Sequence, residues 1–234
     1  MTVTGARTES HDVSIAVDTA TPRLSLAAQR GDTVVSWTGD GTSPNYAGEL
    51  VPRCAALLRR LHVSPRSIAA VVVNRGPGSF TGLRIGMTFV RTVAAFTGAR
   101  VYAADTFGML LQALHPIPAS SRLIVVCSAV QREVYLREFR TDDCGRCTAG
   151  TPVCETVEQF RTRCARGTDP VIVIDASDVG CISDGVRGRT VLVRRDARHL
   201  FGLRSAHRAV AACVRATRVS PEKLSLLYIR PTYY

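Results

Sequence analysis

Lysine is almost missing from this sequence: of thirty basic residues among 234, Lys223 alone is lysine and the rest are arginine. A formal net charge of +11 ordinarily points to nucleic acid. So lopsided a choice of cation, however, reflects codon usage as much as function, and diffuse basic charge gives non-specific attraction to nucleic acid rather than a defined site. Long apolar runs are missing too. The longest, Leu123 to Val130, has the length of a buried strand and falls far short of a membrane span. Met1 to Asp12, with Arg7, Glu9, His11 and Asp12, lacks the apolar core of a signal peptide, so it reads as a loose tail and the chain as cytoplasmic. His11, His62, His115, His199 and His207 form neither an HxxxH nor an HExxH spacing, which removes the helical metal sites those spacings build. No Ser/His/Asp set is recognisable either. Each histidine reads as solvated or helix-surface, and no catalytic residue is assigned.

What is present begins with a core: 46% of the chain is hydrophobic, enough for one to two small domains. Val13 to Val17, Leu24 to Ala28 and Val34 to Trp37 read as three strands, joined by turns at Thr19 to Pro22 and at Arg30-Gly31-Asp32. Ala47, Leu50, Val51, Cys54, Leu57, Leu58 and Leu61 mark an amphipathic helix with Pro52 in its first turn and Arg53, Arg59 and Arg60 outside. A strand over Ala70 to Val73, a glycine loop with a helix after it, a strand near Val101 to Ala103 and a short helix from Asp105 to Leu114 follow. His115-Pro116-Ile117-Pro118 marks a boundary. Beyond it come strands over Leu123 to Cys127 and Glu133 to Arg140, a helix near Glu155 to Cys164 and a strand over Val171 to Ile174. Asp196 is then expected to cap a long basic helix with Leu200, Leu203, Val210 and Val214 as its buried stripe. The expected organisation is a tail over 1–12, a first lobe over 13–115 and a second lobe over 116–234, whose last helix and strand can return to the first.

Eight cysteines in a reducing compartment should be thiols, and Cys54, Cys127 and Cys213 lie in apolar patterns where cysteine acts as a small hydrophobe. Cys144-Gly145-Arg146-Cys147 has the spacing of a redox or half-zinc motif, with Cys154 and Cys164 downstream as conceivable further ligands. It follows a strand and Asp142-Asp143 and opens no helix, so it reads as a hairpin turn.

The stretch Asn74-Arg75-Gly76-Pro77-Gly78-Ser79-Phe80-Thr81-Gly82-Leu83-Arg84-Ile85-Gly86 carries the most information, because Val71-Val72-Val73 feeds into it and a helical pattern leaves it. Ser79 is the expected N-cap of a helix running to about Thr97. Two readings stand. Free amides at a helix N-terminus favour an anion, although G-x-G-x-x-x-G matches neither the dinucleotide fingerprint nor a P-loop. Alternatively Gly82, Gly86, Val90 and Ala94 form a narrow ridge for close helix packing, within the chain or against a partner.

With this run, the N-terminal IAVDTATPRLSLAA and the C-terminal Leu227-Tyr228-Ile229-Arg230, the chain resembles the TsaB (YeaZ) family of tRNA threonylcarbamoyladenosine synthesis, in order from about Ser14 to Tyr135 and again at the C-terminus. The resemblance implies an α/β fold of the ASKHA (actin-like ATPase) type, two ribonuclease-H-like lobes with mixed sheets flanked by helices, related to sugar kinases and Hsp70. It implies a non-catalytic scaffold that pairs as a heterodimer with the larger TsaD through two helices from each. The partner surface it implies comprises Gly78, Ser79, Phe80, Thr81, Gly82, Arg84, Gly86 and Val90, with Leu50 and Leu57 of the preceding helix.

In such a complex TsaE, an ATPase, joins the pair, and tRNA is reached through the assembly. ATP or ADP and metal sit on the partner subunits rather than on this chain, and the product is the modified adenosine 3′ of the anticodon in tRNAs reading codons that begin with A. A homodimer through the same helices is the alternative when the chain is alone. Asp18, with Thr19 and Thr21 after it, occupies the place where kinases of the superfamily keep a phosphate- and metal-handling acid, a possible vestigial nucleotide site. Departures occur at Tyr46, where the family often has histidine, and at Ser128-Ala129-Val130, where it has Asp-Ala-Arg. Two other classes remain to be weighed: an active small-molecule kinase, and a glycoprotease-like metallopeptidase.

Overall fold

Val13–Asp18 (β1) is buried at every position, as a strand flanked on both edges and covered on both faces must be. It pairs antiparallel with Ser25–Arg30 (β2) and parallel with Ile68–Asn74 (β4). β2 continues antiparallel to Thr33–Thr38 (β3), and β4 runs parallel to Arg100–Ala104 (β5). In this computed structural model, which describes residues 13–21, 23–41, 45–114, 117, 119–129, 132–144, 146–165, 171–175, 189–193, 196–204 and 216–229, the first sheet is completed at its β5 edge by Thr217–Val219 (β12), antiparallel and far away in sequence.

Two helices cover one face of this sheet. Tyr46–Arg60 (α1) is capped by Asn45, whose side chain accepts from the Gly48 amide, so the helix begins early enough to leave Pro52 in its interior rather than in its first turn. Pro52 is exposed, and its missing N–H therefore faces solvent rather than the core. Phe80–Thr97 (α2) starts at Ser79, whose hydroxyl accepts from the Gly82 amide, and stops at Gly98 in the left-handed region (φ 73°). Both α2 ends fall where the sequence predicts. Leu50, Leu57, Leu58, Met87, Val90 and Ala94 pack with the inner residues of β1, β2 and β4 into one core.

The second sheet is built from Arg122–Ser128 (β6), Glu133–Thr141 (β7), Cys147–Ala149 (β8), Val153–Thr156 (β9), Val171–Asp175 (β10) and Arg189–Val193 (β11). Its order is β11-β10-β6-β7-β8, and β9 pairs with the first half of β7. Val157–Ala165 (α4) covers its outer face through Phe160 and Cys164. Glu155, expected in that helix, lies in β9 instead. The helix is started by a reciprocal box in which Thr156 Oγ1 accepts from the Gln159 amide and Gln159 Oε1 accepts from the Thr156 amide.

Thr106–Ala113 (α3) sits between the two sheets with Phe107, Met109, Leu110 and Leu111 fully buried, beside Arg198–Arg204 (α5). One apolar cluster joins Ala16 and Val72 of the first sheet to Leu123, Val125 and Val173 of the second through these helices. The architecture is thus two mixed sheets flanked by helices, the actin-like, ribonuclease-H-like arrangement. Asp196 opens α5, its Oδ1 accepting from the Arg198 amide. Val210 and Val214 of the expected stripe, the tail over 1–12, and His115, Pro116 and Pro118 of the expected boundary lie outside the described residues.

Candidate functional site

The glycine loop is tied down on three sides. The Arg75 amide donates to Ala104 O (2.9 Å), the Thr106 amide to Gly76 O (2.9 Å), the Ser79 amide to Ala20 O (2.7 Å) and the Leu227 amide to Arg75 O (2.9 Å). Gly76 has φ +105°, a conformation that side chains rarely adopt, and a Cβ on Gly78 would stand 2.6 Å from that of Ala20. Gly76 N donates to Asn74 Oδ1 (2.9 Å) and Gly82 N to Ser79 Oγ (3.2 Å). The amides that an anion would need at Gly76, Ser79 and Gly82 are thus already engaged by protein acceptors, which favours the packing reading of this loop.

Asp18 and Thr19, at the end of β1, are fully buried. Asp18 Oδ1 accepts from the Ala20 amide (3.1 Å) and from Asn74 Nδ2 (2.9 Å). Asn74 Nδ2 also reaches Thr106 Oγ1 (3.0 Å), and that hydroxyl donates to Pro77 O (2.6 Å). The acid therefore anchors the strand end, the glycine loop and the start of α3 to one another, rather than standing open beside a nucleotide. Thr21 lies on the surface turn, its hydroxyl donating to Arg23 O (3.3 Å).

Thr19 corrects the reading of the ridge. Its side chain lies against Gly86, and a Cβ there would come within 3.1 Å of Thr19 Cγ2 and closer still to Oγ1. Gly82, Gly86, Val90 and Leu57 are buried on the chain's own first sheet, whereas Leu50, buried in the same core, also borders the groove between α1 and α2. The close approach that the glycines permit is between α2 and β1, because at the strand end only a bare helix backbone leaves room for Thr19.

The face that α1 and α2 turn outward lies one step round each helix. Ala47, Leu50, Val51, Arg84, Ile85 and Thr88 are among the residues that line a groove of about 400 Å³ between them. Phe80 extends it: its ring lies 6.4 Å from that of Tyr228, and the Arg84 guanidinium sits 5.3 Å over it. Of the six large apolar side chains exposed among the described residues, Val51 (62%), Phe80 (53%) and Tyr228 (59%) belong to this surface. Phe80, Thr81 and Arg84 of the expected interface are exposed here, beside Gly78 and Ser79 in the loop. Val51 and Tyr228 were missed. Val51 belongs to the apolar pattern that marks α1, and that pattern is wider than the helix's core contact, which is the signal the sequence offers for an outward apolar position.

Cys144 is exposed in the β7–β8 turn, which Asp142 closes by accepting from the Arg146 amide (2.7 Å), whereas Cys147 is buried in the core shared by the lobes. Burial pushes the Cys54 thiol up to about 11, in keeping with a small hydrophobe in the α1 core. His199 lies half-buried on α5, and burial lowers its pKa against the pull of the Asp196 and Asp18 charges. Asp105 caps α3 by accepting from the Gly108 amide (2.7 Å) and meets Arg137 of β7 at 3.5 Å, an ion pair across the two lobes. Burial raises its carboxyl above the usual range, against the pull of the Gly108 amide and of Arg137 and Arg75.

The family model described as "TsaD: tRNA N6-adenosine threonylcarbamoyltransferase" matches residues 40–160, which include α1, the glycine loop and α2. The tRNA threonylcarbamoyladenosine biosynthesis protein TsaB of Bacillus subtilis is 35% identical over 80 residues, covering 34% of this chain and 35% of that protein. Its Escherichia coli namesake is 28% identical over 131 residues, 56% of each. The matched stretches thus span only a third to just over half of these relatives. In fold the likeness is broader: a crystal structure from Pseudomonas aeruginosa, described as similar to peptidase YeaZ, superposes with a TM-score of 0.72 at 23% identity, covering 94% of this chain and all of that one.

Proposed function

The chain belongs to the TsaD-type family and, within it, to the TsaB (YeaZ) proteins, and on that premise we propose that it is the non-catalytic partner of a TsaD-like subunit in tRNA threonylcarbamoyladenosine synthesis. The observation that carries this reading is the outward face of α1 and α2, where Val51, Phe80, Tyr228 and Arg84 gather around an open groove on two adjacent helices. Exposed aromatic and arginine side chains beside an aliphatic groove have the composition of a protein interface core. The partner surface proposed is therefore Phe80, Thr81 and Arg84 with Ala47, Val51, Thr88 and Tyr228, in place of the glycine ridge.

In this account a TsaE-like ATPase joins the pair, and nucleotide and metal are held by the partner subunits. The substrate is the adenosine 3′ of the anticodon in tRNAs that read codons beginning with A. An intrinsic kinase activity is disfavoured by Asp18 and Thr19, which are fully buried and committed to holding the glycine loop or α2. The test is reconstitution of the modification on a tRNA transcript, with the TsaD-like and TsaE-like proteins and the threonylcarbamoyl donor, with and without this chain. Modification that needs the chain supports the proposal. Full modification in its absence overturns it.

A further inference from the structure

Five arginines and one exposed aromatic ring converge at the end of the first sheet where β1, β4 and β5 begin. Val13, the first residue of β1, lies opposite both Arg30 at the end of β2 and Ile68 at the start of β4, and Arg100 opens β5 beside Ala70. α1 delivers Arg59 and Arg60 to the same end, and Arg30 Nη1 donates to Leu61 O just beyond them (3.3 Å). The turn Pro65–Ser67 then adds Arg66, whose guanidinium lies 5.8 Å over the ring of Phe96, a side chain 65% exposed near the end of α2.

Away from this end several arginines meet acids, Arg53 with Glu49 (3.7 Å), Arg122 with Glu138 (3.0 Å), Arg163 with Glu155 (2.7 Å) and Arg198 with Asp196 (3.1 Å), while Arg91 donates to the Pro221 and Leu224 carbonyls (3.0 and 2.7 Å). Among the described residues, Arg59, Arg60 and Arg66 have no carboxylate partner, and the acids at this end are Asp32 in the β2–β3 turn and Glu222 beside Lys223. The carbonyl end of α1 accounts for a preference for cations at Arg59 and Arg60. It does not account for Arg66 or for an aromatic ring left in water beneath a guanidinium.

We propose that this end of the first lobe binds the sugar–phosphate backbone of a folded RNA, with Phe96 as a stacking platform for an unpaired base. Exposed arginines such as Arg59, Arg60 and Arg66 around an exposed ring form the combination that holds a phosphate backbone by charge and a base by its face. The inference rests on the tRNA-modification reading and deepens it, giving this chain its own contact with the RNA. The patch shares no residue with the α1/α2 groove, so partner and RNA can be held together.

The test is fluorescence anisotropy of the full chain against an unmodified tRNA transcript over a series of salt concentrations. Arg59→Glu, Arg60→Glu and Arg66→Glu together should weaken binding more than tenfold and flatten the plot of log K against log salt by about two to three, since each phosphate contact contributes roughly 0.7 to 0.9 to the slope. The milder pair Arg60→Gln and Arg66→Gln should shift both in the same direction by less, which keeps the test sound if the triple variant folds poorly. Phe96→Ala should weaken binding severalfold with the slope unchanged. Arg140→Gln with Arg146→Gln, on the exposed hairpin of the other lobe, removes the same two charges as the milder pair and is its control for net charge.

An equal loss in patch and control variants overturns the inference, as does tighter binding to phosphatidylserine vesicles than to the transcript. Neither result touches the pairing reading, which a titration against the TsaD-like protein decides separately. If RNA binding follows the patch while wild-type pairing fails, the inference stands and the pairing reading falls.

Discussion

Thr19 occupies the space that a side chain on Gly86 would need: a Cβ at Gly86 would lie 3.1 Å from Thr19 Cγ2. Glycine in mid-helix costs up to about 1 kcal/mol relative to alanine, and here that cost is offset by letting α2 settle on the end of β1. Gly86→Ala should therefore lower stability, by about 1 to 3 kcal/mol as overpacked cores do, despite its gain in helix propensity. Thr19→Ala in the same chain should restore part of the loss. Thermal melts of the two single variants and the double one measure the coupling, and strict additivity would place the two residues apart.

Asn74 supplies the next test, because its side chain serves Asp18, Thr106 and the Gly76 amide at once. Asn74→Ala strands buried polar groups that have no route to water, at about 1 to 3 kcal/mol for each left unsatisfied. A clear fall in the denaturation midpoint is expected. An unchanged midpoint would mean that the strand end and the glycine loop are held by other contacts.

Asp105 makes stability depend on pH in a direction of known sign. Its carboxyl is raised by burial in the folded chain, so the folded state holds its proton more tightly than the unfolded state does. That contribution is fully present below the ordinary carboxylate pKa of 3.8 and is lost as pH rises through the folded value. Asp105→Asn keeps a capping side chain without the charge. Its stability relative to wild type should improve from pH 4 to pH 7 in paired denaturant titrations. A difference that is flat with pH, or runs the other way, contradicts the assignment.

The two cysteines of the CGRC sequence should behave differently. Cys144→Ser, on the exposed turn, should leave the melting temperature within error. Cys147→Ser puts a hydroxyl into the core between the lobes and should cost about 1 kcal/mol or more. Equal effects from both would contradict the placement of Cys147.

The parts of this fold that were legible in sequence are those whose signals are local. The β-branched run into a glycine loop locates β4 to within two residues at either end, the Ser N-cap places the start of α2 to the residue, and Asp105 marks the start of α3. The four-residue strand β9 is not read from the sequence, since its pairing with β7 is decided by tertiary contacts, and β12, which pairs with β5, is the expected returning strand for which no range is assigned. The α4 start was legible but unread: Thr156-Val157-Glu158-Gln159 is a capping box. The ridge was seen, but its direction was not. Periodicity places Gly82, Gly86 and Val90 on one face, and only the packing of Thr19 against Gly86 says that this face looks inward.

The most direct test of the account is a titration of the TsaD-like protein with wild-type chain and with Val51→Asp, a change confined to an exposed α1 position in the middle of the groove. Removing a helix-face apolar contact and burying a carboxylate should weaken association at least tenfold, about 1.4 kcal/mol, while the melting temperature of the isolated chain stays where it was. Association at wild-type strength by a folded Val51→Asp chain would contradict the claim that α1 and α2 form the partner-binding face.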